Sequence, residues 1–599
     1  MRQCDHWIQK LPIAVLVTAA FMAPTGTVEA SDLLVPSQYS TIQGAIDASA
    51  SGDRVLVAPG FYFEPIDYLG KAIEVIGLGG SAQTTLSILS VDSVVTIDAV
   101  SHPAPLSLIG FTILAGSGRV IGNPPSLAGG GVFVRDSDPL LSDLVLTGNS
   151  ATLGGGLYAQ NADLTVDAVS FVDNGAADGA GAFFVDVEGD LTDCVFEAND
   201  AFSRGGAMEL IRSPIKVYDS LFLANLAARG AGLSFSDNSD AEVYDCTVIG
   251  NIAVEHGGGI SIDQFSDVIL SGLFVTENEA AQGGGIGITH FSQAQLLDVT
   301  ITQNTAGEGG GLRIFESVPS LDRVVIRGNS ATGFAGESGK GGGIHASLRV
   351  DSRMRNVLVA DNTAIDAGGG IYWWGDCAPT LIHCTVAGNS SQTIGGAMIS
   401  ENYSVPDIWN SIVYANTAPG GSLLAQDSTG EWIFRYCNVE GGGLGPVHFL
   451  NFDADPLFNA DYRITECSPS ADSGSSTAPD IPVTDLDGAP RVQGLKPDQG
   501  VNELPVTAGP CFVRGDATAD GIINVGDVIA SLDYLFIGNF DPPCQDALDV
   551  DDSGLVDIGD PIAAMNYLFQ GGSPPPPPEP VNPAADPTAD LIGCSPLDG

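Results

Sequence analysis

The chain has 599 residues, with 73 Asp and Glu against 22 Lys and Arg, for a formal charge of −51 at neutral pH. A polyanion is repelled by nucleic acid and by anionic membrane, so both are poor partners and nucleic acid is not expected, while cations, calcium above all, are favoured. With 76 Gly and 44% apolar residues, the composition is that of a turn-rich folded β protein rather than a disordered chain.

Residues 1–30 read as a secretory signal: Arg2 and Lys10, an apolar run over 11–22, then Val28-Glu29-Ala30 as the cleavage site. The run is too short to span a bilayer, and no later stretch is long and apolar enough to do so. The mature chain is therefore expected outside the cell or on its surface, with no membrane span. Loss of Cys4 leaves nine cysteines, whose pairing the sequence does not fix. The spacing of Ile42, Ala45 and Ile46 predicts an amphipathic helix that caps the open end of a repeat array. Residues 53–57 and 72–76 read as the first strands.

A repeat then takes over. The first glycine of a Gly triplet, or of its degenerate form, falls at 129, 154, 179, 205, 230, 257, 283, 309, 341, 368 and 395. An Asn keeps the same phase, from Asn149, Asn174 and Asn199 to Asn389 and Asn416. Apolar residues alternate in short β-branched runs without a helical period. The period of about 26 residues is too short for a propeller blade of about 40–45. These features predict an all-β fold over residues 31–503: a right-handed single-stranded parallel β-helix, a solenoid of about 26-residue coils. Gly supplies the positive φ of its tight turns, and the Asn amides stack as a ladder. About fourteen coils are expected between 53 and 461.

The position five before each Asn is small or apolar throughout, so it forms an inward column. Cys194 and Cys246 stand in it two coils apart, at about 9–10 Å and beyond disulfide reach. The residue just before is often Asp, as at Asp143, Asp193, Asp219, Asp245 and Asp298. A calcium stripe and a solvated turn both fit, and the turn is the expectation.

The repeats resemble those of the chlamydial polymorphic outer-membrane proteins, with their paired GGAI and FxxN signatures. Gly205-Gly206-Ala207-Met208 and Phe222-Leu223-Ala224-Asn225 come closest. More broadly, 31–503 looks like the pectin-lyase-like β-helix superfamily. Residues 455–458, 472–474 and 485–491 resemble the terminal segment of secreted bacterial β-helix proteins, where it closes the last coils. Cys467, ahead of Ser468-Pro469, departs from that pattern. Such a resemblance speaks to fold and little to activity.

If the residue after the third glycine points inward, alternation puts two columns outward. The first runs Phe133, Tyr158, Phe183, Glu209, Ser234, Ser261, Gly287, Arg313, His345, Tyr372 and Ile399. The second, two residues on, passes through Asp263 and Trp374 to Glu401. Arg313, His345, Tyr372, Trp374 and Glu401 thus gather into a candidate sugar site, with rings to stack on pyranoses and charges for hydroxyls. Seven of the 22 basic residues lie between 313 and 355, beside the longest coil, which suggests a basic spot for an acidic glycan. A solvated face with a few exposed rings is the competing reading. No compact Asp pair with a neighbouring His shows in the coils, so no catalytic residue is assigned.

After a linker at 504–510, two loops carry metal chemistry. Asp516, Thr518, Asp520, Ile522, Asn524 and Asp527 occupy positions 1, 3, 5, 7, 9 and 12 of a calcium loop, with Gly521 at the sharp turn. Asp549, Asp551, Ser553, Leu555, Asp557 and Asp560 repeat the pattern 33 residues on, with Gly554 at the turn. Helices are predicted over 525–536 and 558–569, their faces Val528, Leu532, Leu535 and Ile562, Met565, Leu568 expected in the core. The pair resembles a type I dockerin over 511–572, a small α-helical calcium-binding domain. The resemblance implies two calcium ions and docking onto a cohesin-like or other cell-surface protein. Val525-Gly526 and Ile558-Gly559 stand where dockerins commonly carry Ser and Thr, a departure from the cellulosomal pattern. The Pro-rich tail, 573–599, reads as an extended linker or disordered end.

The sequence therefore points to a secreted β-helix that binds glycan or protein. The alternative is a polysaccharide lyase or glycoside hydrolase delivered by its dockerin.

Overall fold

The computed structural model describes residues 30–101, 103–420, 423–441, 449–505 and 511–578. The signal segment up to residue 29 and the tail beyond 578 lie outside the described residues.

One coil shows how the repeat folds. Ile260–Ile262, Ile269–Ser271 and Phe274–Thr276 form three wall strands, and Glu279–Gln282 forms a fourth that runs out as an arm. Each strand pairs in parallel with its equivalent in the next coil: Ile260 with Ile286, Leu270 with Leu296, Val275 with Ile301. These inward residues are buried in one continuous apolar core that runs from Leu33 to Val439. One strand column stacks sixteen strands, from Asp32–Val35 to Ile433–Arg435. The expected fourteen coils fell short by two because Asp32–Val35, ahead of the capping helix, already pairs with Arg54–Val57, and because the early coils are shorter than 26 residues, Arg54 pairing with Glu74. Helix α1, Ile42–Ala48, buries Ile42, Ala45 and Ile46 as expected and takes Thr41 as its N-cap.

Two side-chain ladders hold the corners. In the Asn ladder, Asn278 donates from its backbone N and its Nδ2 to Asn304 Oδ1, both at 2.9 Å, and from Nδ2 to Val248 O at 3.0 Å. The pattern recurs from Asn149 to Asn416, and every member is buried. A second ladder, not foreseen, runs up another corner. There the backbone N of Ser213 donates to Ser239 Oγ, Ser239 to Ser266, Ser266 to Ser292 and Ser292 to Ser317.

The first glycine of each triplet has φ between 56° and 68°. The second has no room for a side chain: a Cβ on Gly258 would lie 2.3 Å from Gly284 O of the next coil. The aspartates before the inward column take left-handed bends, with φ 49° at Asp143 and 55° at Asp298, which Asp tolerates better than most residues. They are turn residues, as expected.

Residues 449–505 turn back and lie along the outside of the late coils. Buried Arg491 donates to the carbonyls of Gly500, Val501 and Asn502 and to Asn356 Oδ1, and Val501 packs on Leu358 and Ala360. A disulfide joins Cys467 to Cys511, fastening this segment to the C-terminal loops. Cys544 is also disulfide-bonded. Cys194, Cys246, Cys377, Cys384 and Cys437 are free and buried.

The C-terminal helices are α2, Val525–Phe536, and α3, Gly559–Gln570. Val528, Val550 and Ala564 form one of their small cores, with Leu532 and Leu568 against it. Ile562 and Met565, expected in that core, are exposed; Pro561 and Ala564 take the inward side of α3 instead. The proline run also differs from expectation. It folds back, and Arg514 donates to Pro577 O and Pro578 O.

Candidate functional site

The arm decides what the outward columns do. After each arm the first triplet glycine turns the chain straight over the outward column: a Cβ on Gly205 would lie 2.6 Å from Glu209 N, and one on Gly283 2.9 Å from Arg313 Cβ. The outward side chains therefore sit in a groove between arm and wall. In the early coils rings fill it, with Phe133, Tyr158 and Phe183 stacked at 5.4 and 5.8 Å.

In the middle coils the groove turns polar. Glu209 is 1% exposed, accepts from Ser236 Oγ at 2.7 Å, and has no partner for its buried Oε2 among the described residues. Burial pushes its carboxyl up to about 7 against the hydrogen bonds of Ser234 and Ser236. Two coils on, buried Asp263 meets His290 Nδ1 at 2.6 Å, Thr289 Oγ1 at 3.0 Å and the Arg204 guanidinium at 3.6 Å. Burial works to raise Asp263, but His290, Thr289 and Arg204 together hold it below the usual carboxylate range. His256 projects from the neighbouring arm, its pKa pulled down to about 4 by burial and by Arg229. So the coils bring a single carboxylate, rather than an Asp pair, against a His. Sequence spacing missed it because Asp263 and His290 are 27 residues apart and meet only through coil stacking.

Beside this section the turns that follow the first wall strand of each coil carry exposed rings. Phe265 and Phe291, 57% and 56% exposed, stack at 5.5 Å, and Phe315 stands edge-on to His290 at 5.8 Å. Trp374, three coils beyond Thr289 in the same column, is 39% exposed.

The late coils do gather the sequence-predicted residues. Tyr372 OH donates to Glu401 Oε2 at 2.5 Å and accepts from Lys340 Nζ at 3.0 Å, and the His345 ring lies edge-on to Tyr372 at 5.0 Å. Arg313 Nη1 donates to Ile314 O at 2.7 Å. Yet Arg313, His345 and Tyr372 are buried, not displayed as expected. The inserted loop at 333–340 straps them down, with Gln282 donating to Glu337 at 2.9 Å and Ser338 Oγ to Glu308. Burial and Arg313 hold His345 down at about 4, so its imidazole is neutral near pH 7. Burial also lowers Arg313, to about 10, and raises the Tyr372 hydroxyl, which Glu401 raises further. The expected basic spot is largely neutralised: Arg323 pairs with Asp298, Arg327 with Asp361, Arg353 with Asp480 and Arg355 with Asp322. Most of these aspartates come from other coils, so a count along the sequence left them out.

In the C-terminal loops, ligating atoms of Asp516, Asp520 and Asp527 lie within 4.8 Å of one another, as do those of Asp549, Asp551 and Asp560. Asp516 takes the backbone N–H groups of Asp520 and Gly521, and Asp549 those of Ser553 and Gly554, so the two loops are wound alike. Thr518 Oγ1 donates to Asp527 at 2.9 Å. Burial, then the neighbouring Asp549 and Asp551 charges, pushes Asp560 up to about 6, and burial raises Asp516. Carboxylates crowded in this way fit a dication, which would relieve their repulsion.

A family model described as "Right handed beta helix region" matches residues 127–317. The solenoid is a right-handed parallel β-helix. No curated protein matches the sequence. Among solved structures, the β-helix is similar to pectate lyase Pel9A, at 10% identity and a TM-score of 0.31, over 80% of this chain and 97% of that one. It is similar to tailspike protein 3 of bacteriophage CBA120, at 11% identity and a TM-score of 0.30, over 72% and 61% of the two chains. It is also similar to the A-module of the Azotobacter vinelandii mannuronan C-5 epimerase AlgE6, at 13% identity and a TM-score of 0.28, over 65% and 94%. Identities this low concern the fold alone. No described helix is long and apolar enough to cross a membrane.

Proposed function

We propose that this protein is a secreted or cell-surface β-helix that binds glycan along its side. A dockerin-like module holding two calcium ions attaches or assembles it. The observation that carries the glycan reading is the exposed Phe265–Phe291 stack beside the Asp263–His290 pair. Rings repeated at coil spacing stack on successive sugars with little entropy loss, having two χ angles each, and the polar pair beside them offers a donor and an acceptor for hydroxyls. Trp374 stands further along the Asp263 column with Glu401 beside it in the next coil; Arg313, His345 and Tyr372 lie buried in the groove, where Tyr372 holds Glu401. Affinity electrophoresis in polysaccharide-containing gels tests this. A Phe265→Ala/Phe291→Ala chain should lose its retardation while melting as before; retention equal to that of the parent would refute the reading.

The module is read as dockerin-like from its tandem loops, its two helices and its crowded carboxylates, and its partner as a cohesin-like or other surface protein. When bound, calcium supplies charge neutralisation to Asp516, Asp520, Asp527, Asp549, Asp551 and Asp560, with side chains of Thr518, Asn524, Ser553 and Asp557 and backbone carbonyls of Ile522 and Leu555 completing the oxygen sets.

A second reading, as a polysaccharide lyase or glycoside hydrolase, is favoured by one observation. Glu209 and Asp263 face the same groove with their acidities driven apart, one up to about 7 and one below the usual range. Asp263 holds Nδ1 of half-exposed His290, the arrangement of an oriented general base. Turnover of an acidic or neutral polysaccharide that Asp263→Asn abolishes, and that survives removal of 511–599, would put this reading first.

A further inference from the structure

We propose that Arg514 couples the two calcium loops, so that an ion in one strengthens binding in the other. The proposal rests on the calcium reading above. Between 511 and 578 the sequence has eleven Asp, no Glu, and Arg514 as its one cationic side chain. That side chain is fully buried. Its backbone stands two residues before Asp516, the first ligand of the first loop. Its guanidinium ends in the second loop, with Nη1 donating to Asp549 O at 2.8 Å and Nη2 pairing with Asp552 Oδ1 at 2.9 Å. Asp549 is the first ligand of that loop. The next residue repeats the link through the backbone, Gly515 N donating to Ala547 O at 2.8 Å. The Phe512 ring stacks on the guanidinium at 5.3 Å.

A single residue therefore starts one loop and fixes the start of the other. An ion that orders 516–527 pins the backbone of 514–516, and with it the guanidinium fork. The fork, planar and rich in donors, then holds the Asp549 backbone and keeps its carboxylate turned to the ion. By linkage the effect is reciprocal. Asp552 occupies position 4 of its loop and is not a ligand, so Arg514 neutralises a neighbour of the site rather than competing for an oxygen that calcium needs.

Calorimetric titration of the decalcified full chain with calcium tests this, with Asp516→Ala disabling the first loop. In chains with Arg514, Asp516→Ala should weaken the remaining site by at least about fivefold, the lower range of measured couplings. In Arg514→Gln the same Asp516→Ala change should leave the second loop's affinity as it was. Arg514→Lys, which keeps the charge but not the fork, should restore only part of the coupling. An unchanged second site in Asp516→Ala, or an equal loss with and without Arg514, overturns the proposal. If Arg514→Gln does not fold, the Arg514 arm still decides: independent sites there overturn it. No calcium uptake by the parent chain would overturn the calcium reading itself, whereas two independent ions would overturn the coupling alone.

Discussion

Aspartates in the solenoid stand apart, and aspartates in the C-terminal loops converge. Asp193, Asp219, Asp245 and Asp298 each sit exposed in a left-handed bend between two strands, Asp143 sits in the same bend within Leu140–Thr147, and Asp298 takes an arginine from the next coil at 2.6 Å. Asp549, Asp551 and Asp560 crowd within 4.8 Å of one another instead. The same residue type is thus a bend in one region and a candidate ligand in the other, and the backbone that presents it makes the difference. The cores differ as well. The solenoid has one apolar core over sixteen stacked strands, closed by side-chain ladders. The loop–helix pair has clusters of a few residues and a disulfide to its neighbour. A core that small does not outweigh chain entropy without staples or metal.

The largest effect should come from calcium removal. A chelator should melt α2 and α3 while the β-sheet signal of the solenoid persists, as read by hydrogen exchange along the full chain; equal protection of 525–536 with and without calcium would erase the contrast between the regions. In the solenoid the matching blow is Asn278→Ala. It leaves the buried backbone N of Asn251 without its Oδ1 acceptor and removes one further hydrogen bond each from Val248 O, Asn251 Nδ2 and Asn304 Oδ1, although Asn251 Nδ2 keeps Phe222 O and Asn304 Oδ1 keeps the backbone N of residue 278. At about 1–3 kcal/mol for the buried unpaired N–H and about 1 kcal/mol for each further hydrogen bond lost, the loss should reach roughly 3 kcal/mol or more in urea unfolding. A loss under about 1 kcal/mol would mean that the ladder does not close the corner.

Glu209 sharpens the comparison within the groove. Its folded pKa of about 7 lies above the unfolded value of about 4.3. The folded state therefore binds the extra proton. The associated stability is fully present below about pH 4.3 and is lost as pH rises through 7. Glu209→Gln should stabilise the chain at pH 8, by about 1–3 kcal/mol, and flatten the slope between pH 4.3 and 7; an unaltered slope would place the titration elsewhere. The smallest structural effect is expected at Trp374, 39% exposed. Trp374→Ala should weaken glycan binding with the melting temperature almost unmoved. A large fall in melting temperature would mean that the ring packs rather than presents.

Much of the fold was legible because a solenoid repeats its instructions. The Gly triplets and the Asn phase fixed the coil length, the inward parity of Ile260 and its equivalents, and the Asn ladder, since each depends on local φ or on a neighbour one period away. The calcium-loop spacing was equally local. The serine ladder was legible in principle, as Ser213, Ser239, Ser266, Ser292 and Ser317 keep the same period, but isolated serines are common enough to pass as surface.

What the sequence by itself determined is the all-β coil, its phase and the presence of two metal-loop patterns, all properties of contiguous residues. Tertiary structure alone decided what the outward columns do. The arm folds over them, so Arg313, His345 and Tyr372 are buried under 333–340 while Phe265 and Phe291 stay in solvent. It also decided which polar groups meet: Asp263 with His290 from the next coil, Arg491 with Asn356 across the closing segment, Arg514 with the loop that starts at Asp549. The physical reason is common to all of these. Burial and pairing depend on chain segments that lie 25 to 135 residues apart in sequence and a few ångströms apart in space.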